Sequence, residues 1–333
     1  MLRVKILSKT SNWNEPQVIE PLLRDDVLFI YDARCRDYDW LVVYDEMPMG
    51  CEGVEWEREV LACPRAQTIL ITGEPPSIKL YPKCYTSQFG YVLTTHSPVY
   101  LPHRNHVYGE GSMAWCLDMP LNEIFEMRDY PKSKAISAIC SAKQQTHTLH
   151  SKRYSLVHYL SEKLPELEWF GRGIREIDKK YEVQNDYRYS VAVENYVAPY
   201  HWTDKISDPL LSLCLTFYVG DPRLEDILPA ESFIRIPLDD HEEAYRIIRN
   251  AIDSGEYEKR LPAIREARRL VVERYNMFSQ IANIIRHHEA NGTSSKNGGV
   301  ILGRHRLRRK IWNLLSEAWE TLRLKFILKV SNT

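Results

Sequence analysis

A strand–helix rhythm that runs through the chain twice constrains its fold more than any other feature. LRVKIL (2–7), VLFIYDA (27–33), DWLVVYDE (39–46), QTILITGE (67–74) and YVLTTH (91–96) are short apolar runs bounded by polar turns. Runs of this length and composition read as buried strands. GVEWEREVLACP (53–64) lies between two of them and is expected to be a helix. This alternation implies a parallel sheet with helices on its faces. A second series follows. AISAICSA (135–142) reads as a strand, RYSLVHYLSEKL (153–164) as a helix, and LEWFGRG as a strand ending in a Gly-rich turn. YRYSVAVEN (187–195), LTFYVG (215–220) and SFIRIPL (232–238) read as strands, with a helix in WTDKISDPLLSLC. The stretch 241–288 reads as helical throughout.

The chain has 333 residues, which at ~150 residues per domain suggests about two domains, each able to bury a core. We expect an N-terminal Rossmann-like domain over 1–125 and a second over 130–288, joined across a Pro-containing linker near 118–134. A flexible linker, NGTSSKNGG, falls in 289–300, and a basic tail occupies 301–333. The Asn291-Gly292-Thr293 sequon has no secretory signal to give it meaning.

The net charge is −1, so the global field does not suggest nucleic acid as a partner. Seven cysteines are widely spaced with no C-x-x-C pair, which points to reduced thiols rather than a disulfide framework or a zinc site. The N-terminus lacks the apolar core of a signal peptide, and no stretch reaches the ~20 apolar residues of a membrane span. A cytoplasmic protein is the expectation.

No G-x-G-x-x-G or Walker A loop is present. Asp37-Tyr38-Asp39 is a D-x-D of the kind that holds a metal–diphosphate, but it precedes a strand and reads as structural. The most informative segment is 187–233. A strand ends in Val193-Glu194-Asn195-Tyr196, and His201-Trp202-Thr203-Asp204-Lys205-Ile206 opens a helix. A further strand ends in Tyr218-Val219-Gly220-Asp221-Pro222, and Pro229-Ala230-Glu231-Ser232-Phe233-Ile234 closes the run.

In this order the segment resembles the family-ten α-1,3/4-fucosyltransferases, with their F-E-N-S strand end, Y-x-T-E-K-L helix start, Y-G-x-P strand end and P-x-x-S-F-I run. The resemblance covers roughly 130–285, reaches back through SAICSAK to Arg153 and forward through EYEKRLPAIREARRLVVERYNMF (256–278), and is of bacterial type. It implies an α/β fold in the GT-B arrangement, two Rossmann-like domains facing a cleft, with a C-terminal amphipathic helix. It also implies inverting transfer of L-fucose from GDP-fucose to a glycan hydroxyl, most simply in α-1,3 linkage, with no metal or other cofactor required. The N-terminal half would take the acceptor and the C-terminal half the donor. In the family, the Arg and Lys at the places of Arg153 and Lys205 hold the diphosphate, and the acid before the Lys binds the ribose. That acid is Asp204 here, one methylene shorter than the usual Glu. His201 stands where the family has Tyr, and Glu194 and Asn195 complete the expected donor set.

The chemistry can be argued beside the resemblance. A departing nucleoside diphosphate needs its growing charge neutralised. Lys205 in the first turn of a helix, and Arg153 early in another, supply charge at strand C-terminal ends, where open α/β sheets bind ligands. Helix capping and solvated helix charges are the structural alternatives. A buried Glu194 requires a partner, for function or for structure. Direct displacement needs a general base for the acceptor hydroxyl, and Glu74 in the G-E-P-P turn after a strand is the candidate, with Glu46 second. Lys79 and Tyr81 are candidates for the acceptor side. His96, His103 and His106 lack the pairing of a zinc site and read as a surface loop.

In the tail, Arg304, Arg306, Arg308, Arg309, Lys310, Arg323, Lys325 and Lys329 oppose only Glu317 and Glu320. Ile311, Leu315, Ala318 and Leu322 share a helical face, flanked by Trp312, Trp319 and Phe326. Such a helix suits an anionic membrane surface, so residues 303–330 would place the protein peripherally on the inner face of the membrane. Packing on the protein body or on a second copy is the alternative. The acceptor would be a lipopolysaccharide, capsule glycan or oligosaccharide. The rival readings are a transferase using another nucleotide sugar, and a non-catalytic glycan- or nucleotide-binding relative.

Overall fold

A computed structural model describes residues 1–9, 22–24, 26–49, 56–109, 115, 117–145, 148–290 and 298–331. The chain forms two compact units, one built from 1–109 and 278–333 and the other from 110–277.

The first unit begins with β1 (Leu2–Ser8), β2 (Leu22–Arg24), β3 (Val27–Ile30) and β4 (Trp40–Tyr44). β5 (Arg58–Val60), β6 (Thr68–Ile71), helix α1 (Lys83–Thr86), β7 (Tyr91–Thr94) and β8 (His106–Tyr108) follow. Seven of these strands form one sheet in the order β2-β3-β1-β4-β6-β7-β8. All neighbours are parallel except β2, which runs antiparallel on the edge. β4 and β6 are buried along almost their whole length, as a parallel sheet covered on both faces requires. Leu41, Val43, Leu70, Val92 and Phe89 lie in its core.

The second unit contains α2 (Leu121–Glu126), β9 (Lys134–Ile139), α3 (His150–Lys163), β10 (Leu167–Phe170), α4 (Lys180–Gln184) and β11 (Tyr187–Val193). It continues with α5 (Asp204–Leu211), β12 (Leu215–Val219), β13 (Phe233–Arg235), α6 (His241–Asp253) and α7 (Glu256–Glu273). Its sheet is wholly parallel in the order β10-β9-β11-β12-β13. In doubly wound sheets of this order the strand sequence reverses between the first and third strands, and ligands bind beyond the carboxyl ends there. In this unit that point lies between β9 and β11.

The chain then returns to the first unit through α8 (Met277–Ala290), β14 (Val300–Leu302), α9 (Arg304–Arg308) and α10 (Ile311–Ser331).

Several sequence expectations change. Two domains in series are not what forms, because the first unit is discontinuous. The stretch 241–288 is three helices, broken at Ser254–Gly255, where Gly255 has φ 66°, and again after Glu273. The expected linker near 118–134 contains α2, and Asp129 just beyond it pairs with Arg265 and Arg268 of α7 at 2.7 and 2.6 Å. The helix expected over 53–64 is the strand β5 over its described part, paired antiparallel with β14 from the tail. Its Glu59 points inward to Lys5 Nζ at 2.9 Å, both side chains fully buried. Most of the expected linker 289–300, with Asn291-Gly292-Thr293, lies outside the described residues, as do Cys51 and Cys116. Asp37-Tyr38-Asp39 is structural: Asp39 accepts the Arg3 N–H at 2.8 Å across the sheet, and Tyr38 is buried.

Candidate functional site

The second unit gathers charge at its switch point. Glu194 follows the last residue of β11, and its side chain is fully buried. Thr203, the N-cap of α5, meets it: the Thr203 N–H donates to Glu194 Oε1 at 2.9 Å, and its hydroxyl donates to Oε2 at 2.8 Å. The same hydroxyl accepts from Lys205 Nζ at 3.0 Å. Lys205 Nζ also stands 3.5 Å from Glu194 and 3.7 Å from Asp204. The buried carboxylate that sequence reasoning flagged is thus paired and hydrogen-bonded, as burial demands.

The electrostatics follow from this packing. Burial raises the Glu194 carboxyl, with the Lys205 charge opposing. Burial also works against an ionised Asp204, yet Lys205 and Lys180 hold its carboxyl well below the usual carboxylate range. Burial opposes the Lys205 ammonium, but Glu194 and Asp204 keep it above its ordinary value. Pro209 inside α5 has no N–H to give the Lys205 carbonyl, and the helix ends two residues later at Leu211.

Arg153 lies in the first turn of α3, which begins one turn earlier than expected. Its guanidinium is buried and donates to Asn195 Oδ1 at 2.6 Å and to the Val193 carbonyl at 3.5 Å. Its Nε has no hydrogen-bond partner among the described residues. The charges of Arg153 and Lys205 act on each other and on the Cys140 thiol at the end of β9. His201 is buried, with its ring edge-on to Tyr196 at 5.4 Å. The structure therefore brings Arg153, Glu194, Asn195, Asp204 and Lys205 together beyond β9 and β11, with His201 on the loop between.

Gly220 explains the Tyr-Val-Gly-Asp-Pro spacing. A Cβ there would lie 2.1 Å from Tyr218 Oη and 2.7 Å from Glu194 Cγ. The main chain passes against the ring that walls Glu194, and Tyr218 Oη accepts the Asp221 N–H at 3.1 Å.

Sequence reasoning missed Lys180. Its Nζ pairs with Asp204 at 2.7 Å and Asp208 at 3.1 Å. It lies on a five-residue helix with no motif around it, so only the fold connects it to α5.

In the first unit the expected acceptor-side residues also gather beyond strand ends. Lys79 Nζ lies 2.8 Å from Asp45 and 2.9 Å from Glu46, and Tyr81 Oη donates to Asp45. Glu46 is also reached by Lys9 at 2.9 Å and by Arg304 from the tail at 3.5 Å. Despite burial, Lys79 and Lys9 hold Glu46 down to about 2, which makes it a poor proton acceptor. Glu74 lies on the exposed turn after β6. His96 corrects a sequence expectation: it is 1% exposed rather than part of a surface loop. Among the described residues no group of three or more His, Cys, Asp or Glu side chains is placed to hold a metal ion.

The tail also differs from a free appendage. α10 turns its polar side inward: Glu317 is buried and accepts from Arg304 and Arg308, and Glu320 accepts the Lys83 N–H at 2.9 Å. Its apolar side faces solvent, with Trp312 79%, Leu322 70% and Phe326 70% exposed. No helix of the described residues is long and apolar enough to cross a membrane.

No protein-family model matches the chain, and no curated protein matches it. Among solved structures it is similar to an α1,3-fucosyltransferase with GDP-fucose, at 13% identity and TM-score 0.48, covering 88% of this chain and 91% of that one. It is similar to a glycosyltransferase from Rickettsia africae at 10% identity and TM-score 0.47, covering 88% and 99%. The OtsA apo structure is similar at 6% identity and TM-score 0.48, covering 79% and 74%. Likeness of this degree assigns no family, and the functional case rests on the residues themselves.

Proposed function

We propose that the chain is a glycosyltransferase that moves a sugar from a nucleoside-diphosphate donor to a glycan hydroxyl with inversion. One observation carries this reading. Two cations, Arg153 and Lys205, converge with the N-terminus of α5 at the switch point of a parallel sheet, and the Arg153 Nε is buried without a partner among the described residues. A diphosphate supplies the acceptors that such a constellation is suited to hold. The family resemblance of the 187–233 segment supports GDP-fucose as the donor and an α-1,3 linkage in the product.

In this reading Glu74 takes the proton of the acceptor hydroxyl. The freed oxygen attacks the anomeric carbon from the face opposite the diphosphate. The bond from that carbon to the β-phosphate oxygen breaks, and GDP leaves with its new charge stabilised by Lys205 and Arg153. Asp204 would hold the ribose hydroxyls once its grip on Lys180 is shared. No metal step is needed.

The outward apolar side of α10, bordered by Arg309, Lys310, Arg323 and Lys325, supports peripheral binding to an anionic membrane, with a membrane-borne or capsule glycan as acceptor. The free thiols of Cys35, Cys63, Cys84, Cys140 and Cys214 support a cytoplasmic setting.

The test is calorimetric titration with GDP, GDP-fucose, GDP-mannose and UDP-sugars, beside Lys205→Ala. Selective GDP and GDP-fucose binding that disappears in the variant is expected. A preference for another nucleotide would move the donor assignment, and no nucleotide binding would sink the transferase reading.

A further inference from the structure

Glu74 stands out in the first unit because its side chain is exposed while its backbone is held at both its N–H and its carbonyl. Tyr81 Oη accepts the N–H of Gly73 at 3.1 Å and of Glu74 at 3.4 Å. That hydroxyl donates its own proton to Asp45, which Lys79 grips through both carboxylate oxygens at 2.9 and 2.8 Å. Asp45 has φ 66°, a conformation that costs a non-glycine residue energy and persists only where its surroundings enforce it. His96, whose ring packs edge-on against Tyr81 at 5.5 Å, donates from Nε2 to the Glu74 carbonyl at 2.7 Å. A carbonyl can only accept, so the His96 proton sits on Nε2. Nδ1 is left buried with no partner among the described residues. Burial holds the ring down to about 4, so it stays a neutral donor at physiological pH.

The cost of this arrangement is informative. A turn with only a connecting role is satisfied by main-chain bonds and water. Here two buried side chains, one with an unsatisfied nitrogen, are committed to the backbone of one exposed acid. Pro75 and Pro76 follow directly and stiffen the exit. A Cβ on Gly73 would come within 3.2 Å of the Tyr44 ring, so the entry is also close-fitting. The turn closes β6, next to β4, whose end carries Asp45 and Glu46.

We propose that Tyr81 and His96 are positioning residues that hold Glu74 as the general base of sugar transfer, with Asp45 and Lys79 anchoring Tyr81. This rests on the reading of Glu74 as that base. Positioning of this kind lowers the cost of orienting base and hydroxyl in the transition state and leaves donor binding alone.

The test is steady-state kinetics of the full-length chain with GDP-fucose and a galactosyl-N-acetylglucosamine disaccharide, following GDP release. Tyr81→Phe removes the bonds to the turn's N–H groups and His96→Leu the bond to its carbonyl, so one serves if the other folds poorly. Each should lower kcat by about tenfold to a hundredfold, with the KM for GDP-fucose held within about twofold. His96→Gln, whose amide can stand where Nε2 stands, should recover most of the loss. Unchanged kcat in both variants, or kcat and donor KM falling apart together without recovery in His96→Gln, would overturn the proposal. Wild-type turnover in Glu74→Gln would overturn it too and remove Glu74 as base, while the donor site, read separately through Lys205→Ala, would stand. A wild-type protein that transfers nothing would overturn both.

Discussion

Lys180 Nζ lies 2.7 Å from Asp204 Oδ2 and 3.1 Å from Asp208 Oδ2, bridging two acids one turn apart on α5. The Asp204 carboxylate, proposed to bind ribose, is therefore already held. Asp208 is almost wholly buried, and this ammonium is one of its partners. Replacing Lys180 by Met should cost about 2–3 kcal/mol, the scale of a lost charge-assisted bond with a buried acid left behind. Asp204 would then draw Lys205 toward itself, and GDP affinity should fall about tenfold. Urea unfolding and calorimetry read the two effects separately. A rise in GDP affinity would instead mean that Lys180 competes with the ribose. The pair should also survive mild acid. The Asp204 carboxyl is depressed, so its contribution is present above the unfolded value of about 3.9 and is lost only as pH falls below it.

Gly220 sets a second expectation. Its missing side chain admits the main chain against Tyr218 and Glu194, and Gly220→Ala would place a methyl inside both. Neither neighbour is a flexible chain end in open space: the Tyr218 side chain is fully buried and Glu194 is held by Thr203. Overpacking of this kind costs typically 1–3 kcal/mol. The relief available is to move Glu194, which would release Thr203 and Lys205. The expected outcome is a lowered denaturation midpoint together with loss of GDP binding. A stable Gly220→Ala protein with wild-type GDP affinity would separate this turn from the donor site.

The parallel strands were legible because burial on both faces leaves continuous apolar runs, and the charged cluster at the start of α5 was legible because its residues sit within one stretch of chain, from Glu194 to Lys205. Arg153, some forty residues before Glu194, was reachable through the resemblance and through its place early in a helix that follows a strand. What escaped depends on distance along the chain. Glu59 reads as part of a helix because its strand partner, β14, lies some 240 residues on, and its inward charge is tolerated only by Lys5. Lys180 has no local pattern to mark it. His96 reads as loop because nothing in its neighbours announces that Glu74 will need a donor. The discontinuous first unit follows from the same cause: the α8 helix carries the same spacing as α6 and α7, and only packing assigns it back.

Two groups in the first unit predict its acid response, with opposite chemistry and the same sign. His96 is depressed to about 4 from an unfolded value near 6.5. The unfolded chain therefore binds the extra proton first, and stability is lost as pH falls from about 6.5 toward 4. Glu46 is depressed to about 2, so its contribution is present above the unfolded value of about 4.3 and is lost on further acidification toward 2. Denaturant midpoints should fall as pH is lowered from 7 through 4 and on toward 2. His96→Gln should flatten that slope in part, since His103 and His288 are depressed by burial as well. Lys79→Met should flatten the lower window by releasing Glu46. A slope unchanged by His96→Gln would mean that the ring is not the group that titrates there.

The tail helix yields the last expectation. α10 buries Glu317 and Leu324 and leaves Ile311, Trp312, Leu315, Trp319, Leu322 and Phe326 exposed. A helix that merely packed on its own protein would do the reverse. An exposed stripe of this size marks a surface meant to be covered. Its border is cationic, with Arg309, Lys310, Arg323 and Lys325 exposed. Two such faces brought together in a symmetric dimer would set like charges against each other, whereas a bilayer rich in anionic lipid would attract them at about 1 kcal/mol per residue. The protein should sediment with phosphatidylglycerol vesicles, weakly with neutral ones, and less as salt rises. Replacing Trp319, Leu322 and Phe326 by Ser should abolish sedimentation and leave GDP binding intact, because the three side chains point away from the body of the protein. Wild-type protein that ignores anionic vesicles but elutes at twice its mass, and reverts to its own mass in the triple variant, would assign the stripe to a second copy instead.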